Sequence, residues 1–433
     1  MSVTCEVEID DPSAAVFAAR MAGDRWFCWE QPERDGFALA ALGSAAEVVA
    51  RGAGRFAELG ASCAETGRDR LADEPDELPA AAGPVWVGGL AFAPDGAGEP
   101  QWSSFPPALL ILPEVSLVRQ AGRTLLTVAA LGGTDPARLA GRIASLHSAE
   151  IPLADPHPIG RATISSVLPP SRYEAAVAGA VERIRAGKLE KAVLAREVVV
   201  DAPAAHDPAA LYGAVRELFP SCFCFCCGSA EGAFIGASPE LLVRRDGAGA
   251  ATVALAGSTR RSADPAVDDH LGERLLRSAK DRSEHAIVAR RIERSLRPHS
   301  IWVSSEPEPQ IVRVANIQHL ATPIHAQLAE PRSAIELAGL LHPTPAVGGE
   351  PRDAALELIG ELEGLDRGWY AGPVGWMDSS EDGEFCVALR SALLRDRRAH
   401  LYAGAGIVAD SDPAAELAET ELKLDAMLPL LAG

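Results

Sequence analysis

A chain of 433 residues exceeds one small module and leaves room for two or three domains or one large unit, at about 100–200 residues per domain. Apolar residues make up 48% of it and charged residues 23%, close to globular averages, which excludes wholesale disorder and fibrous repeats. The 40 basic side chains against 60 acidic ones give a net charge of −20, which repels phosphate backbones and anionic lipid and argues against a nucleic-acid partner.

The opening stretch, MSVTCEVEIDDPSAAVF, is acidic and has neither the basic nor the apolar region of a signal peptide. No apolar run approaches the ~18–20 residues needed to span a bilayer, so a cytoplasmic protein without a membrane partner is expected. Residues 1–80 carry little periodicity, whereas VWVGGLAFA (85–93), ALLILPEVSLV (108–118) and TLLTVAAL (124–131) read as strands. Five prolines between 148 and 170 mark a break around the β-like run ATISSV. Beyond it the pattern sharpens. Ser171 with Glu174 predicts a capping box, Tyr173, Val177, Val181 and Ile184 keep helical spacing, and Gly187 sits where the helix should end.

KAVLAREVVV (191–200) reads as a strand opened by Lys191, an unusual place for so hydrated a group. Such a lysine is either a snorkelling edge residue or a base with altered basicity. Asp207-Pro208 predicts an N-cap and N1 pair for a second helix. Strands are expected at 221–228, 232–237, 241–245 and 251–256. In the first of these, alternation puts Cys222, Cys224 and Cys226 on one face and Phe223 and Phe225 on the other. With no histidine or CxxC partner nearby, these thiols read as small buried hydrophobes rather than metal ligands. Eight cysteines in all are too few for a disulfide scaffold.

Glu240, between a Gly/Pro turn and a short apolar strand, is either an exposed turn carboxylate or a general acid with a raised pKa. Helices follow at about 268–279 and 282–297, and Glu284 near the start of the second would ordinarily compensate the helix dipole. GPVGWMD (372–378), EFCVALRSALL (384–394) and HLYAGAGIV (400–408) read as a meander, closed by a helix from Asp412-Pro413. On that helix Glu416, Glu419 and Lys423 share a face at i, i+3 and i+7, ordinarily a solvated, salt-bridged one. The preceding GAGIV, read as a glycine-rich turn, opens a second reading. Two carboxylates and a lysine beside such a turn suit Mg²⁺ completed by a carboxylate substrate. Strands in runs, interrupted by helices, favour α+β with antiparallel sheets.

The strings KAVLAREV, FIGASPELLVRR, LAGSTRR, SAKDRSEHAIV, QHLATPI, LHPTPAVGG, RGWYAGPVGWMD, ALRSALL, YAGAGIV and AAELAETELK follow the order and spacing of the chorismate-utilising enzymes. The chain most resembles their isochorismate synthases, of the siderophore or menaquinone type. The resemblance is dense from Tyr173 to Leu428 and thinner before. It implies an anthranilate synthase component I-like α+β fold, with two large antiparallel sheets packed together and helices outside. Residues 1–433 would then form one unit, with 1–150 its divergent N-terminal part and 165–431 its chorismate-binding catalytic part.

Matched residue by residue, Lys191 stands where the family has the base that activates water, and Glu240 where it has the acid that protonates the departing hydroxyl. Glu284, Glu416 and Glu419 match the acids that hold Mg²⁺. Arg390, Gly404 and Lys423 match the groups on the pyruvyl carboxylate, with Tyr370 nearby; Gly257, Ser258 and His319 match the ring pocket. Three positions separate the branches of the family. Lysine at 191 argues for water where aminating relatives carry glutamine and take ammonia from a glutaminase partner, so no such partner is expected. Ala256 stands where aminodeoxychorismate synthases often have lysine, and Ala346 where salicylate synthases typically have threonine. The resemblance therefore implies a monomeric, Mg²⁺-dependent isomerase that turns chorismate into isochorismate, with salicylate synthase or an aminating synthase as the alternative. One departure stands out, Gly348-Gly349 in place of the usual serine-glycine pair.

Overall fold

The structure, a computed structural model, describes residues 1–75, 77–153, 160–314 and 317–432. Part of the proline-rich break, residues 154–159, lies outside the described residues. Strands gather into a 13-stranded and a 10-stranded sheet among those residues, paired antiparallel except where Ser2–Val7 meets Ala72–Asp73. The larger sheet runs from Thr163–Ser166 through Lys191–Asp201, Arg398–Ile407, Ser391–Arg395, Gly232–Ser238 and Phe223–Ser229. It then continues into N-terminal strands, Trp26–Gln31, Phe37–Leu42, Val115–Gln120, Arg123–Ala129 and Ser2–Val7. The smaller runs from Ser300–Ser305 through Ile317–Leu328, Gly249–Arg260, Leu241–Asp246, Gly383–Val387 and Pro373–Asp378 to Val85–Leu90, Ala108–Leu112 and Ala46–Val49. N-terminal strands thus extend both sheets.

Two apolar runs that read as single strands are each shared between the sheets. ALLILPEVSLV divides at Pro113-Glu114, with Ala108–Leu112 in the smaller sheet and Val115–Gln120 in the larger. EFCVALRSALL divides at Ala388–Arg390, between Gly383–Val387 and Ser391–Arg395. Both halves of each run are buried, so hydropathy alone cannot show the change of sheet.

The Phe223–Ser229 strand behaves as its alternation predicts. Phe223 and Phe225 join a core with Trp29, Phe234 and Phe385, while Cys222, Cys224 and Cys226 join a second with Cys28 and Tyr212. All eight thiols are free, and burial pushes Cys222 up to about 11 and Cys226 to about 12, which makes them inert hydrophobes.

Helix starts differ from expectation in three places, one being the helix expected from about 268, which runs Pro265–Arg277. The Pro170–Arg185 helix has no side-chain cap; Pro169 occupies the cap position and Ser171 lies inside the first turn, so no capping box forms. Pro170 at N1 presets the backbone angle and has no N–H to satisfy, which starts the helix without one. Its apolar face, Tyr173, Val177, Val181 and Ile184, is buried as read. The third correction bears on the site. The helix expected from 282 is Ala279–Leu296, capped by Ser278, whose hydroxyl accepts from the Asp281 N–H at 3.3 Å. Asp207 and Asp412 cap their helices as predicted.

Candidate active site

One cavity collects side chains from both sheets, from the Ala279–Leu296 helix and from the Pro413–Leu424 helix. Eleven of the expected residues line it: Glu240, Gly257, Ser258, Glu284, His319, Ala346, Tyr370, Arg390, Gly404, Glu419 and Lys423. Lys191 and Glu416 stand one layer behind. Lys191 is 1% exposed and its Nζ lies 2.8 Å from Glu284 Oε1. Glu416 is reached through Lys280, whose Nζ is 3.2 Å from its carboxylate.

Burial removes the solvated-edge reading of Lys191. It opens the Lys191–Asp201 strand, paired on one side with Arg398–Ile407 and on the other with Gly349–Glu350. Gly404 and Gly406 lie within the strand rather than in the turn that GAGIV suggested. A Cβ at Gly406 would meet Glu284 Oε1 at 2.4 Å and Lys191 Cε at 3.0 Å, so a side chain there would push on this ion pair. Gly349 is the more constrained of the two, since its Cβ would come within 2.3 Å of the Lys191 backbone carbonyl oxygen. At Gly348 a side chain would begin 3.1 Å from the Pro343 ring, so the loop is packed without the usual serine.

A buried ion pair aligns this strand with the Ala346 loop. Arg367 donates to the carbonyls of Val193 at 2.7 Å and Val347 at 2.9 Å, and its Nε to Glu363 at 2.9 Å. Glu363 in turn accepts from the Ala195 N–H at 2.7 Å.

Glu240 is fixed at the start of the Leu241–Asp246 strand. Its N–H donates to Ser238 Oγ at 3.2 Å, and its carbonyl accepts from Val387 at 3.0 Å. Burial pushes its carboxyl up to about 8, against the pull of Lys191, Lys423, a Thr344 hydrogen bond and Arg390. It is therefore a protonated acid near neutrality, the state a proton donor needs.

Arg390 sits in the crossing between the sheets with a left-handed φ of 45°. Its Nη2 donates to His319 Nε2 at 2.8 Å, while its Nη1 is buried without a partner among the described residues. Burial and the Arg390 and Lys423 charges hold His319 well below the usual imidazole range, so the ring is neutral. Its Nε2 accepts from Arg390, which leaves Nδ1 to carry the proton toward the Gly257 backbone. An unpaired buried guanidinium nitrogen is a ready anion site. Gly257, at φ 76°, forms the bulge that separates Ala256 from Ser258 in the strand register. Lys423 donates to the Gly404 carbonyl at 2.8 Å and pairs with Glu419 at 2.8 Å. Tyr370 stacks on Tyr402 with centroids 5.3 Å apart, and burial pushes its phenol up, so it remains a hydroxyl.

Each of the three expected metal acids is turned to a lysine: Glu284 to Lys191, Glu416 to Lys280 and Glu419 to Lys423. As they stand, no three His, Cys, Asp or Glu side chains among the described residues converge to hold an ion. The chemistry of the set nevertheless fits a hard divalent cation, since it is all carboxylate oxygen, and all three carboxylates act on the charge of Lys280. Burial would lower the Lys280 pKa, but Glu416, Glu284 and Glu419 outweigh it and hold it above the usual value. Burial, with Glu419 adding to it, keeps the Glu416 carboxyl up; Glu419, also lifted by burial, is brought down further by Lys423 and Ser258.

Lys280, Asp281, Leu389 and Tyr402 also line the cavity and were not singled out from sequence. A signal for the first two existed, because Ser278-x-x-Asp281 is a capping pattern that places both in the first helical turn.

A family model described as chorismate binding enzyme matches residues 1–432. The salicylate biosynthesis isochorismate synthase of Pseudomonas aeruginosa is 40% identical over 414 residues, covering 94% of this chain and 84% of the relative. The solved structure of the menaquinone-specific isochorismate synthase from Escherichia coli superposes with a TM-score of 0.84 at 28% identity, covering 100% of this chain and 94% of the other. Anthranilate synthase component I from Streptococcus pneumoniae shares the fold, with a TM-score of 0.70 at 21% identity over 90% of this chain and 92% of its own. A match over the whole length, together with a cavity that gathers residues from segments far apart in that length, places this chain in the chorismate binding enzyme family.

Proposed function

We propose that this protein converts chorismate to isochorismate, by addition of water at C2 and loss of the C4 hydroxyl. The observation that carries the reading is Glu240, a buried carboxyl kept protonated near neutrality in the cavity that also presents the free Nη1 of Arg390. Glu240 and Arg390 thus supply a proton donor beside an anion anchor. The isochorismate synthase relatives and the water-type residues Lys191, Ala256 and Ala346 support the same branch.

In this mechanism Arg390 and Lys423 hold the pyruvyl carboxylate against the Gly404 strand, and Tyr370 and His319 shape the pocket around it. Lys191 can act as a base only as the free amine, so the ammonium that pairs with Glu284 first gives up a proton to solvent, and the amine then takes one from a water whose oxygen bonds to C2. The ring double bonds shift, the C4–O bond breaks, and Glu240 delivers its proton to the departing hydroxyl, which leaves as water. Water enters and water leaves, so substrate and product are isomers. Exchange with solvent returns the proton from Lys191 to Glu240. Glu284, Glu416 and Glu419 would hold Mg²⁺, which when bound supplies charge neutralisation at the ring carboxylate. We also read the chain as one catalytic unit that acts as a cytoplasmic monomer without a glutaminase. N-terminal strands completing both sheets support the single unit, and eight free thiols suit a reducing compartment. No helix among the described residues is long and apolar enough to cross a membrane.

The purified protein with chorismate and Mg²⁺ should yield isochorismate with little pyruvate, and pyruvate should appear only when an isochorismatase is added. Stoichiometric salicylate and pyruvate from the protein alone would move the assignment to salicylate synthase. An absolute need for ammonia would move it to the aminating branch.

EDTA should abolish turnover and Mg²⁺ restore it, and Glu419→Gln should lose activity while keeping its circular dichroism spectrum. The amide oxygen of glutamine can still accept from Ser258, which donates to Glu419 at 3.2 Å, so the local fold has no cause to open. Full activity in metal-free buffer would overturn the metal assignment.

A further inference from the structure

Lys280 belongs to neither the acid–base pair nor the carboxylate anchor, yet it occupies the electrostatic centre of the acidic trio. Its Nζ is 3.2 Å from Glu416, and Glu284 and Glu419 also act on its charge. Its position is as telling as its partners. With Glu284 it lines both the active-site cavity and a second, wider cavity that includes Lys188, Glu190, Ser283 and Asp410. The Lys280 side chain is 43% exposed although the Glu416 side chain it meets is 3% exposed. A flexible four-carbon stem in that setting can reach water without disturbing the helix that carries it.

We propose that Lys280 is a resident counter-cation of the acidic trio, paired with Glu416 and offsetting part of the trio's charge before metal arrives, and swinging into the outer cavity when a divalent cation takes its place. This rests on the reading of Glu284, Glu416 and Glu419 as metal ligands. Three carboxylates crowded beneath a protein surface repel one another, and burial adds to the cost of their charge. An ammonium tethered among them relieves both without filling the site permanently. The outer cavity carries the Lys188 ammonium, Asp410 and Glu190, the last 3.8 Å from Arg290, so the displaced ammonium finds water there and Asp410 as a partner. Lys280 therefore competes with the metal, and the free protein binds the ion more weakly than the bare trio would.

The experiment uses chorismate-free protein and Mn²⁺, read by the electron paramagnetic resonance of the free ion, with Mg²⁺ as competitor. Lys280→Gln should bind Mn²⁺ about two- to fivefold more tightly than wild type, as expected for removing a partly exposed ion pair. Lys280→Arg, which keeps the charge, should stay close to wild type. In thermal unfolding Lys280→Gln should melt below wild type without metal, and Mg²⁺ should raise its Tm by more than it raises that of wild type. Equal or weaker Mn²⁺ binding by Lys280→Gln would overturn the role of Lys280 while leaving the metal site intact. No binding by wild type or variant, with or without Glu416→Gln, would instead remove the metal site and the proposal with it.

Discussion

Lys191→Ala is expected to lower kcat by about 10²–10⁴-fold, the usual worth of a general base, with KM for chorismate changed only modestly. The pyruvyl carboxylate is assigned to Arg390 and Lys423 and the ring carboxylate to Mg²⁺ on the three glutamates, none of which the substitution removes, so affinity has no reason to collapse. The loss should come with a stability signature. Lys191 is fully buried and paired with Glu284 at 2.8 Å, and removing one partner of such a pair costs about 3–5 kcal/mol. The denaturation midpoint should therefore fall while the spectrum of the folded state is retained, and Mg²⁺ should restore part of the midpoint by giving Glu284 a new partner. Near wild-type kcat, or an effect confined to KM, would make Lys191 a binding or structural lysine and end the water-activation mechanism.

Glu240→Gln is expected to lose a similar factor in kcat, and the two substitutions together should be scarcely worse than either alone, because both act in one step. Two pH measurements distinguish Glu240 from a residue that merely packs. Wild-type activity should decline above pH 8 as the carboxyl, held up to about 8 by burial, ionises; the glutamine variant should lack that arm. Stability moves in the same window. Between 4.5, the ordinary value, and about 8 the unfolded chain has released this proton while the folded chain still holds it. Wild-type stability therefore falls with rising pH there, by about 1.4 kcal/mol per pH unit from this group. Below that window the contribution is fully present, and it is lost as pH rises through the folded value. Since glutamine cannot ionise, the variant should gain on wild type in Tm between mildly acid and mildly alkaline buffer. A difference that stays flat across that range would show that Glu240 is not held protonated.

Local chemistry was legible where a single element decided the outcome. Asp412-Pro413 caps its helix, and the spacing of Glu416, Glu419 and Lys423 does bring one face toward the cavity. Cys222 to Cys226 alternate between two cores because a strand has a period of two and both sheet faces are covered. What the sequence left hidden depends on distant segments. Nothing local shows that Lys191 meets Glu284 across 93 positions, or that Lys280 will pair with Glu416. The two divided strands were hidden for a different reason, since a buried run looks the same whichever sheet receives it. The missing cap at Ser171 follows from Pro169 and Pro170, which set the backbone before a hydroxyl can compete.

The division at Ala388–Arg390 also decides how the protein resists deformation. Three residues join one sheet to the other there, and the last of them carries the guanidinium assigned to the substrate carboxylate. Its left-handed backbone already costs about 1 kcal/mol, and the Ala237 N–H bonds its carbonyl at 3.1 Å. Sliding one sheet over the other would have to bend this join, as it would those at Pro113-Glu114 and Pro239-Glu240, so the anchor is tied to the alignment of the two sheets. A substitution far from the cavity that lets the layers slip would be felt there as a loosened grip on substrate, with every lining side chain unchanged.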